Sequence, residues 1–169
     1  ILDLTRGEMG SRGDAGTRQR EALRAAGILG AAERITLDLG DARLRDTDEA
    51  RRQVIEIIRR LKPRLVLGHY WDDLHPDHVA AGQIVRSVMY PSGFFNYPAA
   101  GEPYRPHEYL FFMAHTPFQP GIIVDISGFF EKKMEAVRCY ESQFHRPGAS
   151  GEGPPTLISS PGFFRLLED

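Results

Sequence analysis

The sequence predicts an α/β fold, a Rossmann-like three-layer sandwich on a mostly parallel sheet. Short apolar or β-branched runs alternate with longer segments of helical period, the order that βαβ units produce. One run, residues 64–70 (RLVLGHY), is apolar almost throughout, as in a strand covered on both faces. With 169 residues, 41% hydrophobic and 26% charged, the chain is long enough to bury about 70% of its unfolded surface as one domain.

The elements follow in order. ILDLT (1–5) reads as a short buried strand, and RGEMGSRGDAG (6–16), with four glycines in eleven residues, as a loop of wide backbone freedom. TRQREALRAAGIL (17–29) has helical spacing, with Thr17 as N-cap and Leu23 and Ala26 facing inward. RITLDL (34–39) is a second strand by its β-branched content. Asp46-Thr47-Asp48-Glu49 supplies a capping-box-like start for a helix ending at Leu61, with Val54, Ile57, Ile58 and Leu61 at helical spacing. Lys62-Pro63 stops it, and RLVLGHY is the third strand.

A helix from Asp77 to Tyr90 then buries Ala81, Ile84, Val85 and Val88. Residues 91–107 form a Pro/Gly-rich loop, and HEYLFFMA (107–114) and GIIVDIS (121–127) are further strands. GFFEKKMEAVRCYESQF (128–144) is a helix with Phe130, Met134 and Val137 on one face. HRPGASGEGPP (145–155) reads as a mobile loop before a last short helix.

Composition excludes some functions. A net charge of -2 offers nothing to nucleic acid or an anionic membrane. No apolar run approaches the ~20 residues of a membrane span. The single cysteine, Cys139, rules out an internal disulfide framework and fits a reducing cytoplasm. The chain opens on Ile1 without methionine and stops at FFRLLED within a helical pattern. The expectation is a single domain over 1–169, truncated at the N-terminus and at the C-terminus.

Chemistry concentrates in WDDLHPDH (71–78), between the third strand and its helix, at the strand-end edge where α/β sheets bind ligands. Pro76 and Asp77 suit a helix start. His78, in the first turn, is kept neutral by the helix dipole and so can ligate a metal. His75 lies three residues earlier, and Asp77 is placed to orient a histidine by accepting its second ring N–H. One histidine as ligand, one as proton carrier and one aspartate as orienter make a hydrolytic half-site. Two other readings stand beside it. The stretch is also a polar helix cap, and Asp72-Asp73 is also a carboxylate pair for Mg2+ or Mn2+ under a nucleotide sugar. Two histidines suit softer, nitrogen-ligated metals better than that pair does.

The loop TRGEMGSRG lacks both the P-loop lysine and the dinucleotide glycine spacing. Arg6, Arg12 and Arg18 with free amides suit a small carboxylate ligand. The alternative is a solvated turn whose arginines pair with Glu8, Asp14 and Glu21. His69, a strand-end histidine, reads as hydrogen-bonded, and His107, His115 and His145 carry no partner pattern.

DLTRGEMGSRG, TRQREALRAAGILGA and YWDDLHPDH together resemble the LmbE/PIG-L family of metal-dependent N-acetylglucosaminyl deacetylases. VDISGFFEKKMEAVRCYESQF and SSPGFFRLLED extend the resemblance over nearly the whole chain. The glycine-rich loop and the ESQF segment look most like the branch that deacetylates N-acetylglucosaminyl malate in bacillithiol biosynthesis. The resemblance implies a Rossmann-like sheet and Zn2+ as cofactor, with another divalent ion such as Fe2+ as alternative.

It also implies a cytoplasmic homo-oligomer acting on a small-molecule GlcNAc conjugate. The family's AHPDD-type motif, which brings two zinc ligands and the general base, is absent here, so the resemblance leaves the remaining ligands expected upstream of Ile1. His78 therefore matches the third ligand, His75 the residue that protonates the intermediate, and Asp77 its orienting acid. Arg18, and with it Glu8, matches a substrate-binding position. An inositol-linked GlcNAc and a non-catalytic carbohydrate-binding role are the alternatives.

Overall fold

The computed structural model describes residues 1–144, 154–156, 158–160, 162, 163 and 167. His145 and most of the loop expected over 145–155 lie outside them. The fold is α/β with parallel pairing, carried in two two-stranded sheets. The chain divides into two compact units, 1–41 with 122–169, and 42–121.

In the first unit, β1 (Leu2–Asp3) pairs in parallel with β2 (Ile35–Thr36). The ladder runs past both labels, since Leu37 N donates to Asp3 O at 2.8 Å and Leu39 N to Leu4 O at 3.1 Å. Helix α1 (Ala15–Leu29) starts two residues before the expected point. Asp14, not Thr17, is its N-cap, accepting from Thr17 N at 2.7 Å and from Thr17 Oγ1 at 3.1 Å. Its carboxylate is the stronger acceptor for the free amides. Gly30, at φ 72°, ends the helix in a left-handed turn.

Ala26 is buried as expected, but Leu23 is exposed and Glu21 takes an inward position instead. Hydrogen bonds to Ser142 compensate that carboxylate, so polarity did not keep it at the surface. Helix α4 (Phe130–Arg138) packs against α1 and buries Met134 and Ala136. It is shorter than expected, because Cys139–Phe144 continue as hydrogen-bonded turns. GIIVDIS forms no strand among the described residues, and Ile123 is 85% exposed. β-branched content sets a preference, but a strand exists only with a ladder partner.

In the second unit, α2 (Asp48–Leu61) is capped by Thr47, whose hydroxyl accepts from Ala50 N at 3.1 Å. Val54 and Ile58 are buried as the spacing predicted; Ile55 and Arg59 join them, and Leu61 is exposed. β3 (Leu65–His69) pairs in parallel with β4 (Glu108–Phe112), with Leu65 opposite Glu108 and His69 opposite Phe112. Among the described residues one face of β3 is covered: Gly68 is buried under Val85, while Leu65 and Leu67 are exposed. Helix α3 (Pro76–Met89) buries Ala81, Ile84 and Val88, and packs on β3 and α2. A Cβ at Gly82 would lie 2.7 Å from His69 O and 3.0 Å from Trp71 Cα. Glycine there lets α3 approach the end of β3, which sets the distance between the strand-end histidine and the helix start.

Candidate metal centre

The site grows from the turn between β3 and α3. Tyr70 N still donates to Phe112 O at 3.0 Å, and the chain then leaves the sheet. Asp73 folds back on the turn, its Oδ1 accepting from His75 N at 2.8 Å. Pro76 occupies the first turn, and His75 rather than Asp77 is the N-cap, with His75 Nδ1 accepting from Asp77 N at 3.2 Å. That bond leaves Nδ1 without a proton, so the neutral ring carries its hydrogen on Nε2.

His78, one turn into α3, sets Nδ1 at 3.1 Å from Asp73 Oδ1. Parallel register brings in a third group. β4 ends opposite His69, and three residues later His115 reaches the same carboxylate. His115 N donates to Asp73 Oδ2 at 2.9 Å, and His115 Nδ1 lies 3.1 Å from Oδ1. The Asp73 side chain, 2% exposed, is thus the centre of the group. Asp73, His78 and His115 present donor atoms within 4.8 Å of one another.

The rings form a stack around His78. His69 lies 4.0 Å from it, His75 4.7 Å and His115 5.0 Å between centroids, with interplanar angles of 15°, 23° and 16°. Phe112 tilts against His69 at 4.6 Å. His69 Nδ1 is buried with no hydrogen-bond partner among the described residues. Burial, followed by the neighbouring His78, pushes His69 down to about 4. Burial also lowers His78, against the opposing attraction of Asp73. Burial alone would raise Asp73, but the amides of His75 and His115 and the two imidazoles hold it well below the usual carboxylate range. At neutral pH Asp73 is therefore a carboxylate beside neutral His69 and His78, the ionisation a divalent metal requires.

These shifts make the fold sensitive to acid. His69 and His78 bind protons more weakly when folded than unfolded, so their contribution is complete above about pH 6.5 and is lost as pH falls toward 4. Asp73 acts in the same sense at still lower pH. The urea midpoint measured with chelator present is expected to hold from pH 7.5 to about pH 6.5 and to fall from there to pH 5. A flat profile would contradict the buried, neutral histidines.

The other expected residues are placed as follows. Asp77, expected to orient a histidine, is buried and accepts from Ala42 N at 2.7 Å and Leu44 N at 3.3 Å. It fastens the 42–44 segment across the start of α3, and the acid that meets the imidazoles is Asp73. His75 and His78 are brought together. Arg18 and Glu8 belong to the first unit, where Arg18 Nη1 donates to Gly7 O at 3.1 Å. Gly7 and Gly10 wrap its guanidinium so closely that a Cβ at either would lie within 2.7 Å of it. Glu8 Oε1 accepts from Asp41 N at 2.7 Å. From sequence, Asp73 stood only as half of an Asp72-Asp73 pair for Mg2+ or Mn2+, and His115 carried no partner pattern. The signal for His115 was its place just past a strand expected to run parallel to the one ending at His69.

The family profile described as PIG-L, GlcNAc-PI de-N-acetylase, matches residues 1–89. Diacetylchitobiose deacetylase of Thermococcus kodakarensis is 34% identical over 151 residues, which are 85% of this chain and 55% of that protein. 4-Oxalmesaconate hydratase of Pseudomonas putida is 29% identical over 152 residues, 83% of this chain and 56% of its own. The crystal structure of the conserved protein TT1542 from Thermus thermophilus superposes with a TM-score of 0.82 at 40% identity, covering 85% of this chain and 66% of that one. N,N'-diacetylchitobiose deacetylase from Pyrococcus horikoshii, in complex with an inhibitor, gives 0.73 at 26%, covering 85% and 58%. The chain thus spans about half the length of the curated relatives it matches.

Proposed function

The chain belongs to the PIG-L family of GlcNAc-PI de-N-acetylases, and on that premise we propose that it carries a metal-dependent hydrolase acting on the N-acetyl group of a GlcNAc conjugate. The observation that carries this reading is the Asp73, His78 and His115 donor set at the strand-end edge of β3 and β4. A catalytic zinc takes about three protein ligands at ~2.0–2.2 Å, which places neighbouring donors ~3.3 Å apart in a tetrahedron. Asp73 Oδ1 lies 3.1 Å from each imidazole Nδ1, so the residues present fit such an ion. Two nitrogens and one oxygen suit zinc, with ferrous iron as the alternative.

When bound, the ion supplies Lewis acidity toward the acetyl carbonyl and the attacking water. Other roles fall to residues of this chain. His78, with Asp73 and His115, would hold the ion. Asp77 N fixes the ring of His75, which offers its Nε2–H as hydrogen-bond donor to the oxyanion, while the water's proton would pass to the leaving amine through the carboxylate base of the family's AHPDD-type motif. Asp77 itself keeps the start of α3 in place through Ala42 and Leu44. Arg18 and Glu8 are assigned to substrate binding from the glycine-rich loop.

For the aglycone we favour malate, as in bacillithiol biosynthesis, on the glycine-rich loop and the ESQF segment. A neutral sugar is the second reading. Arg6 pairs with Asp38, Arg12 with Ser142 O and Arg18 with Gly7 O, and two relatives are named for diacetylchitobiose. We place the protein in the cytoplasm on its lone cysteine, as one catalytic domain without nucleic-acid partners. No helix among the described residues is long and apolar enough to cross a membrane.

The test is acetate and free amine released by the native full-length protein from N-acetylglucosaminyl malate, an inositol-linked GlcNAc and diacetylchitobiose. Equimolar acetate and amine, with malate the best substrate, is the expected result. Sugar binding without acetate from any conjugate would convert the reading to a carbohydrate-binding protein. The hydratase relative makes that control necessary, because family membership alone does not fix the reaction.

A further inference from the structure

The glycine-rich loop is held by a buried lock contributed by the segment after α4. Glu21, in α1, is 2% exposed, and its two carboxylate oxygens accept from Ser142 N at 2.7 Å and Ser142 Oγ at 2.8 Å. Gln143, also buried, donates from Nε2 to Arg12 O at 2.6 Å and to Ser142 Oγ at 2.8 Å. Arg12 Nε returns a bond to Ser142 O at 3.1 Å. Gly13 stands at φ 69°, and a Cβ there would lie 2.6 Å from Ser142 Oγ. Loop and lock are in such close contact that only glycine fits between them.

A carboxylate and an amide are costly to bury, and a glycine-rich loop is costly to order. A turn that merely connected β1 to α1 would need neither. On its other side the same loop wraps the Arg18 guanidinium at Gly7 and Gly10 and anchors Glu8 on Asp41 N.

We propose that Glu21, Ser142 and Gln143 are positioning residues that lock loop 6–13 in the conformation presenting Arg18 and Glu8 to substrate. The proposal rests on the substrate-binding role given to that loop above. Preorganisation of this kind lowers the cost of binding without touching the reacting atoms. Its signature is a change in KM with kcat preserved.

The experiment compares the native full-length protein with Gln143→Met, which keeps volume and removes both donors, and with Ser142→Ala. Hydrogen exchange of residues 6–14 and steady-state kinetics on the best GlcNAc conjugate are measured together. Exchange is expected to quicken about tenfold in that loop and KM to rise about tenfold, with kcat within about twofold. Unchanged exchange overturns the lock, whatever the substrate reading. Faster exchange with unchanged KM shows the lock but removes the loop from substrate binding, and the positioning role falls with it. Should both variants fail to fold, Gly13→Ala strains the same junction from the loop side and must reproduce the exchange and KM changes, or the proposal is lost.

Discussion

The full-length protein carrying His78→Ala is expected to lose metal binding and acetate release together. His78 is the middle ring of the stack and one of three donors within 4.8 Å, so its removal leaves too few ligands for a catalytic ion. Fold should survive, because the side chain is partly exposed and alanine is tolerated in the first turn of a helix. The companion change, Asp73→Asn, separates the carboxylate from the helix. It removes the charge that two imidazoles and two amides converge on, and metal affinity is expected to fall about 10–100-fold or more. Metal content by atomic absorption after dialysis against a defined free-zinc buffer, beside acetate release, reads both. A His78→Ala protein with full metal content and unchanged turnover would refute the ligand assignment.

The largest effect on stability is expected at Arg59, remote from the donor cluster. This residue is 3% exposed and donates to Ser92 O, Phe94 O, Ala99 O and Gly101 O. One guanidinium thereby organises the Pro/Gly-rich loop, which no regular ladder could do. Gly101 stands at φ 90°, a backbone conformation that favours glycine, and a Cβ there would also sit a tight 3.1 Å from Arg59 Cβ. Arg59→Met keeps the packing volume and leaves those carbonyls without donors, at about 1–3 kcal/mol for each that stays dry. With partial rehydration the net loss is expected at about 3–5 kcal/mol, enough to lower the urea midpoint sharply. Arg59→Lys should recover only a part, since an ammonium has three donors and no fork to reach four carbonyls. A change below about 1 kcal/mol for Arg59→Met would show that the loop holds its shape without the guanidinium.

Much of the architecture was legible from local pattern. α2 and α3 stand within two residues of their expected limits because their caps, Thr47 and the His75-Pro76 start, act over three or four positions. The parallel order of β3 and β4 followed from the helix between them. The sites of error were those where a distant partner overrode local preference. Leu23 turned outward because Glu21 found Ser142, 121 residues away. GIIVDIS had the composition of a strand without a ladder to join.

The same division runs through the site. His75, Asp77 and His78 share one turn, so their proximity is a property of the sequence itself, and their spacing marked the place where chemistry belongs. The choice of acid was not local. Asp77 was drawn to the amides of residues 42 and 44, and Asp73 was enclosed by a histidine 42 positions later. Sequence alone determined an α/β chain with a histidine-rich turn at a strand end. Only the tertiary structure decided that Asp73 and His115 complete it, because parallel register brings together residues that no local spacing relates.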